Sequence, residues 1–180
     1  MAPDPLLKDF AALLSGTDPA GPVLDLACGD GHNGLYLAGL GLPVVLADRS
    51  REALESAAQA AVEKGIRVTL QEVDLETGGN PLEEEAYRGI LVFRYLHRPL
   101  IPCIKKGIQK GGLLIYETFT VEQSRYGRPH NPDFLLKPGE LADWFQDWQV
   151  IHYFEGLLEN PTRAAAQIVC RKPFQPQSVL

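Results

Sequence analysis

The sequence predicts an α/β domain built on a doubly wound, mostly parallel sheet that ends in an antiparallel strand pair. Three observations predict it. Short continuous apolar runs alternate with amphipathic helical stretches between residues 23 and 117, the pattern of strands buried on both faces. A glycine-rich segment follows the first apolar run directly. The chain then closes with two strand-like runs that have no helix between them. The 180 residues, 45% hydrophobic and 22% charged, suit one globular domain over 1–180 and exclude a disordered chain, a collagen-like repeat and a disulfide scaffold.

The elements follow in order. Pro5 to Leu14 reads as a short helix ended by Ser15 and Gly16, inside an N-terminal segment of 1–20. Val23 to Ala27 is a short buried strand preceded by the turn residues Gly21 and Pro22. His32 to Leu40 is helical and closes at Gly41; Pro43 to Asp48 is the second strand. Ser50 caps the next helix, whose apolar stripe is Ala53, Leu54, Ala57, Ala58, Ala61 and Val62, and Gly65 ends it. Ile66 to Val73 is a third strand and Gly89 to Phe93 a fourth. The run Glu83 to Glu85 reads as a solvated helix face. Pro99 opens a helix with Leu100, Ile101, Ile104 and Ile108 on its apolar side, and Gly111-Gly112 stops it. Lys105, Lys106 and Lys110 sit near that helix's end, where its dipole favours cations. Leu113 to Glu117 is a fifth strand; Gln149 to Phe154 and Ala164 to Arg171 are the antiparallel pair. Trp144, Phe145 and Trp148 read as core. Seven strands in all make the sheet Rossmann-like.

Charge and cysteine usage narrow the partners. Acidic residues outnumber basic ones 23 to 17, a net charge of −6, whereas binding through nucleic-acid phosphates calls for a basic surplus. Cys28, Cys103 and Cys170 are widely spaced, match no metal-ligand pattern and read as free thiols in a reducing compartment. The first ten residues lack a basic region followed by an apolar stretch, and no run is long enough for a membrane helix. The expectation is a cytoplasmic protein with a small-molecule substrate, no nucleic-acid or membrane partner and no metal.

The informative segment is Val23 to Gly34. Gly29-x-Gly31-x-x-Gly34 matches the dinucleotide-binding fingerprint, and a tight strand-to-helix turn that needs glycine fits it too. Two acids add to it. Asp25 precedes the loop, where its carboxylate can receive a ligand ammonium or order the loop amides. Asp48 ends the second strand, where a carboxylate accepts both hydroxyls of a ribose.

The run Leu24-Asp25-Leu26-Ala27-Cys28-Gly29-Asp30-Gly31 resembles the first motif of class I S-adenosylmethionine-dependent methyltransferases, an acid followed by x-Gly-Cys-Gly-x-Gly. Ala27 replaces the first glycine, which an alanine can do where φ is below zero. Asp48 matches that family's ribose acid. Asp74, with the Leu75 backbone beside it, matches the acid that binds the adenine amino group. The antiparallel ending matches as well, and the resemblance covers about residues 20 to 172. Gly31 to Ala38 further resembles the first helix of small methyltransferases of the tellurite-resistance type, with His32 where that group often has arginine. The resemblance implies S-adenosylmethionine as cofactor, S-adenosylhomocysteine as product, and methyl transfer by in-line displacement. It implies a cofactor site of Asp25, Ala27, Cys28, Gly29, Gly31, Asn33, Asp48, Arg49, Asp74, Leu75, Phe93 and Arg94; the Cys28 side chain by itself reads as a small packing group in the loop, not a nucleophile.

Ligands in such sheets bind beyond the carboxyl ends of the strands. Three segments should meet there: Phe93 to Arg98, Glu117 to Thr120, and a long connection over 119–140 that reads as a cover over the active site. They gather Arg94, Arg98, Arg125 and Arg128, which favours an anionic acceptor, although such arginines also tie loops to carbonyls. The expected acceptor-binding residues are Arg94, His97, Tyr126, Arg128 and His130, and Arg94 also suits the cofactor's carboxylate. No catalytic triad is visible. Two other readings share these motifs: an NAD(P)-dependent oxidoreductase, and a non-catalytic module that binds S-adenosylmethionine.

Overall fold

The computed structural model describes residues 2–16 and 19–174. Residues 1, 17–18 and 175–180, which belong to the expected 1–20 segment and 1–180 domain, lie outside the described residues. The strands are β1 (Val23–Leu26), β2 (Val44–Asp48), β3 (Thr69–Glu72), β4 (Tyr87–Phe93), β5 (Ile108–Phe119), β6 (Gln149–Leu158) and β7 (Arg163–Arg171). They form one sheet in the order β3-β2-β1-β4-β5-β7-β6. The first five pair in parallel, and β7 lies antiparallel between β5 and β6. Six strands therefore share one direction and β7 alone is reversed.

Alternation of side chains along the strands fills two cores, one on each face of the sheet. Leu24 and Leu26 of β1 point to the core covered by α4 (Ile101–Gly107) and α5 (Glu140–Trp144), with Phe145 and Trp148 buried in it as expected. Val23 points to the core covered by α1 (Pro5–Phe10), α2 (His32–Gly39) and α3 (Arg51–Glu63). Asp25 shares the face of Val23 and so turns a carboxylate toward α2. The Ser50 hydroxyl caps α3 by accepting from the Ala53 amide at 3.2 Å. Among the described residues no helix is long and apolar enough to cross a membrane.

Several local expectations give way to tertiary context. Ile108 begins β5 opposite Tyr87 instead of ending a helix, and the register shift between Tyr87 and Gly89 absorbs Gly111-Gly112 as an irregularity within the strand. Lys110 is consequently a strand residue. Glu83 to Glu85 is an exposed turn, with Glu85 at φ +49°, and Glu84 pairs with Lys106 at 3.1 Å. Val62 faces solvent, leaving Leu54, Ala57 and Ala61 as the buried stripe of α3. β3 is shorter than its apolar run, because an edge strand with a solvated outer face pairs only over Thr69 to Glu72.

The third glycine of the loop motif packs α2 onto β2. A methyl group there would collide with Leu46 and press on Val44 and the Asp25 carboxylate. Gly34→Ala is therefore expected to destabilise the chain by roughly 2 kcal/mol, as overpacking of a rigid site does. Urea unfolding would show it as a lower midpoint with an unchanged slope.

Candidate functional site

β1 ends in a loop whose backbone alternates into the left-handed region at Ala27 (φ +54°), Gly29 (φ +54°) and Gly31 (φ +71°). Ala27 thus departs from the expected negative φ: the loop takes its glycine geometry and the alanine bears the strain. Two carboxylates hold the loop. Asp25 Oδ2 accepts from the Gly34 amide at 2.8 Å, and Asp48 Oδ2 accepts from the Gly29 amide at 2.8 Å. Asp25 is 3% exposed, and the amide its carboxylate accepts belongs to Gly34 in the first turn of α2. Burial pushes its pKa up to about 7, against the pull of the Gly34 amide.

Beyond the ends of β1, β2 and β4 lies a cleft of about 250 Å³. Ala27, Asp48, Arg49, Asp74, Leu75 and Arg94 line it, six of the residues expected to hold the cofactor. Each Asp48 oxygen takes one backbone amide, Oδ2 from Gly29 and Oδ1 from Ser50 at 2.9 Å, and each retains accepting capacity. A methyl group at Gly29 would meet no atom within 4 Å, so the loop presents an open cradle. Cys28 and Phe93 instead pack into the core beside α2, and burial pushes the Cys28 thiol up, which makes it inert. Tyr95, which also lines the cleft, was legible only as part of a converging segment.

The N-terminal segment enters the site through Asp4, a residue that sequence reading missed because its partners lie far along the chain. Its carboxylate accepts from Asn33 Nδ2 at 2.9 Å, bonds His32 Nε2 at 3.1 Å and pairs with Arg94. Asn33 returns the bond by accepting from the Asp4 amide at 2.9 Å, so its side chain brackets this segment instead of facing the cleft. Burial pushes the Asp4 carboxyl up, but the bonds from His32 and Asn33 and the Arg94 charge outweigh it and hold it at about 2. His32 is raised, first by its bond to Asp4 and further by Asp30. Arg94 sits at φ +55°, its amide bonded to the Glu117 carbonyl at 2.8 Å. The Tyr116 hydroxyl donates to the Tyr95 carbonyl at 2.9 Å, so β5 fixes this strained turn from both residues.

The connection over 119–140 is folded into two short 3₁₀ turns, Val121–Arg125 and Pro132–Phe134. Arg128 and Phe134 reach a second cleft beside the first, with Arg94 and Tyr95 common to both. His97, Tyr126 and His130 line neither cleft. Arg98 is a tie: it pairs with both oxygens of Glu140 at 2.7 and 2.9 Å and donates to the Asp133 and Leu135 carbonyls. Arg125 pairs with Glu122, and Glu117 is buried against Arg163 and Gln167. Among the described residues no group of three or more His, Cys, Asp or Glu side chains is placed to hold a metal.

Comparison with known proteins places this geometry. The family model described as tellurite resistance protein TehB matches residues 14–167. The chain belongs to the TehB family. It is 26% identical over 142 residues to a protein of Haemophilus influenzae named "Probable S-adenosyl-L-methionine-dependent methyltransferase TehB", across 76% of this chain and 49% of that one. The chain thus spans about half the length of the curated relatives it matches. The fold matches the crystal structure of TehB from Haemophilus influenzae with a TM-score of 0.74 at 21% identity, over 93% of this chain and 61% of that chain. It also matches an S-adenosylmethionine-dependent methyltransferase from Methanosarcina mazei with a TM-score of 0.72 at 14% identity, over 97% and 100% of the two chains.

Two outcomes follow from the geometry of the loop and of Asp25 behind it. Ala27→Gly relieves left-handed strain of about 1 kcal/mol, partly offset by a looser unfolded chain, and should stabilise by about 0.5 kcal/mol in urea unfolding. Asp25 carries a folded pKa of about 7 against an unfolded value near 3.8. The folded state therefore holds the proton longer, and stability falls as pH rises from about 4 to about 7. Asp25→Asn keeps an acceptor for the Gly34 amide and removes that slope. Unfolding curves at pH 4.5 and 7.5 should show the variant gaining on the order of 1 kcal/mol or more over the parent chain at the higher pH.

Proposed function

We propose that the chain is an S-adenosylmethionine-dependent methyltransferase acting on a small, anionic acceptor. The single observation that carries the reading is the Asp48 carboxylate, fixed at the end of β2 by two amides with its remaining lone pairs available to the cleft. Family membership and the reversed β7, which an all-parallel dinucleotide fold lacks, support it over the oxidoreductase reading.

When bound, the cofactor supplies a methyl group made electrophilic by its sulfonium. The chain's own residues would bind and orient. Asp48 would accept the ribose hydroxyls, with Arg49 beside it. Asp74 and the Leu75 backbone would take the adenine. The amides of the Ala27 to Gly31 loop would face the amino-acid end, with Asp25 acting on them from behind through Gly34. Arg94, already paired with Asp4, would close the end nearest the second cleft. Arg128 gives that cleft a cation with no carboxylate partner among the described residues, which supports an anionic acceptor; the net charge of −6 argues against nucleic acid. The free thiols Cys28, Cys103 and Cys170 support a reducing, cytoplasmic setting.

Calorimetric titration with S-adenosylhomocysteine tests the reading, with NADH as comparator. The expected result is one-to-one binding in roughly the micromolar range, weakened at least about tenfold in Asp48→Ala, with no heat from NADH. Binding of NADH alone would overturn it. Binding of the homocysteine compound with no methyl transfer to any of a panel of small anions would favour the non-catalytic module.

A further inference from the structure

The second cleft has a volume of about 330 Å³, and its walls differ in kind from those of the first. Leu96, Phe119, Pro129 and Phe134 supply apolar surface, and Arg128 supplies charge. Phe134 leaves 49% of its surface exposed, unlike the strand side chains behind it. A small inorganic oxyanion would leave these walls in water. A flat apolar body would cover them, each square ångström removed from water contributing about 25 cal/mol.

We propose that this cleft takes an acceptor with an aromatic or similarly flat apolar body bearing one anionic group, the body against Phe119 and Phe134 and the anion on Arg128. This rests on the methyl-transfer reading and names its substrate class.

The cleft is built to keep its shape. Arg98 grips the carbonyls on either side of Phe134, those of Asp133 and Leu135, each at 2.9 Å, while its guanidinium is clamped by Glu140. The Arg128 carbonyl accepts from Gln123 Nε2 at 3.0 Å, and Gln123 Oε1 accepts from the Ala164 amide of β7 at 2.8 Å. Tyr116 fixes the Tyr95 carbonyl from beneath. The backbone that carries Phe134 and Arg128 is thus held in place before any ligand arrives, which leaves only their side chains to be ordered on binding.

The charges divide in the same way. Arg94 pairs with Asp4, Arg98 with Glu140 and Arg125 with Glu122. Among the described residues Arg128 has no carboxylate partner, and the lining of its cleft contains no carboxylate to repel an anion. A guanidinium pairs with a carboxylate in plane through two parallel N–H groups, so Arg128 suits the anionic part of such a ligand. Arg94 and Tyr95 lie between this cleft and the one that carries Asp48, which puts an occupant beside the cofactor site.

Calorimetry with 1-naphthoate, its neutral amide 1-naphthamide, and tellurite tests this, on the chain alone and saturated with S-adenosylhomocysteine. The expected result is one-to-one binding of naphthoate, at least about tenfold tighter than naphthamide. Arg128→Gln should abolish that difference while leaving naphthamide unchanged. Phe134→Ala should weaken both about tenfold, with the affinity for S-adenosylhomocysteine preserved in both variants. Equal binding of acid and amide, no binding of either, or indifference to both substitutions would overturn the proposal. So would tellurite binding lost in Arg128→Gln and untouched by Phe134→Ala while naphthoate fails to bind. Naphthoate binding to a chain that gives no heat with S-adenosylhomocysteine would instead overturn only the cofactor reading.

Discussion

The bond from the Gly29 amide to the Asp48 carboxylate is the contact on which the rest of the site depends. It ties the loop after β1 to the end of β2, and those two strand ends make the wall of the first cleft. An ionised acceptor makes such a bond roughly twice as strong as a neutral one. The same carboxylate takes the Ser50 amide, so the strand end, the loop and the start of α3 converge on one side chain. Its orientation is thereby set by the protein, and a ligand that adds further donors pays little to order it.

Behind that contact the loop is held under tension. Asp25 sits dry beneath it and accepts a single amide, while Ala27 takes a backbone conformation natural to glycine. Arg94 is strained in the same sense across the cleft, held by β5 and by Asp4. Strained residues on both sides of one cleft are a mark of a functional constraint, since each costs about 1 kcal/mol or more and persists only where the surroundings enforce it. The N-terminal segment is part of that enforcement: Asp4 binds the start of α2 through His32 and Asn33 and the top of β4 through Arg94.

Much of this was legible in the sequence because it is written in local patterns. The apolar runs at Val23 to Leu26 and at Gly89 to Phe93 read as buried strands and are strands, and Ser50 marked the start of α3. The glycine spacing and the acids at 48 and 74 pointed to the first cleft, and Asp25 sits behind its loop. What was hidden depends on distant partners. Nothing near Asp4 announces Arg94, ninety positions away, and nothing near Arg98 shows that it clamps Glu140 and serves as a tie. The double glycine at 111 and 112 misled because it sits inside a strand, where the shift opposite Tyr87 and Gly89 makes room for it. Phe134 was invisible as a site residue, since an isolated aromatic in a proline-rich connection has no periodicity to reveal which way it faces.

The most direct measurement is a crystal structure of the chain grown with S-adenosylhomocysteine. The account predicts the ribose hydroxyls on the Asp48 carboxylate, the adenine beside Asp74 and Leu75, and the second cleft open next to the sulfur. A ligand seated elsewhere, or a ribose that leaves Asp48 bonded only to Gly29 and Ser50, would contradict it.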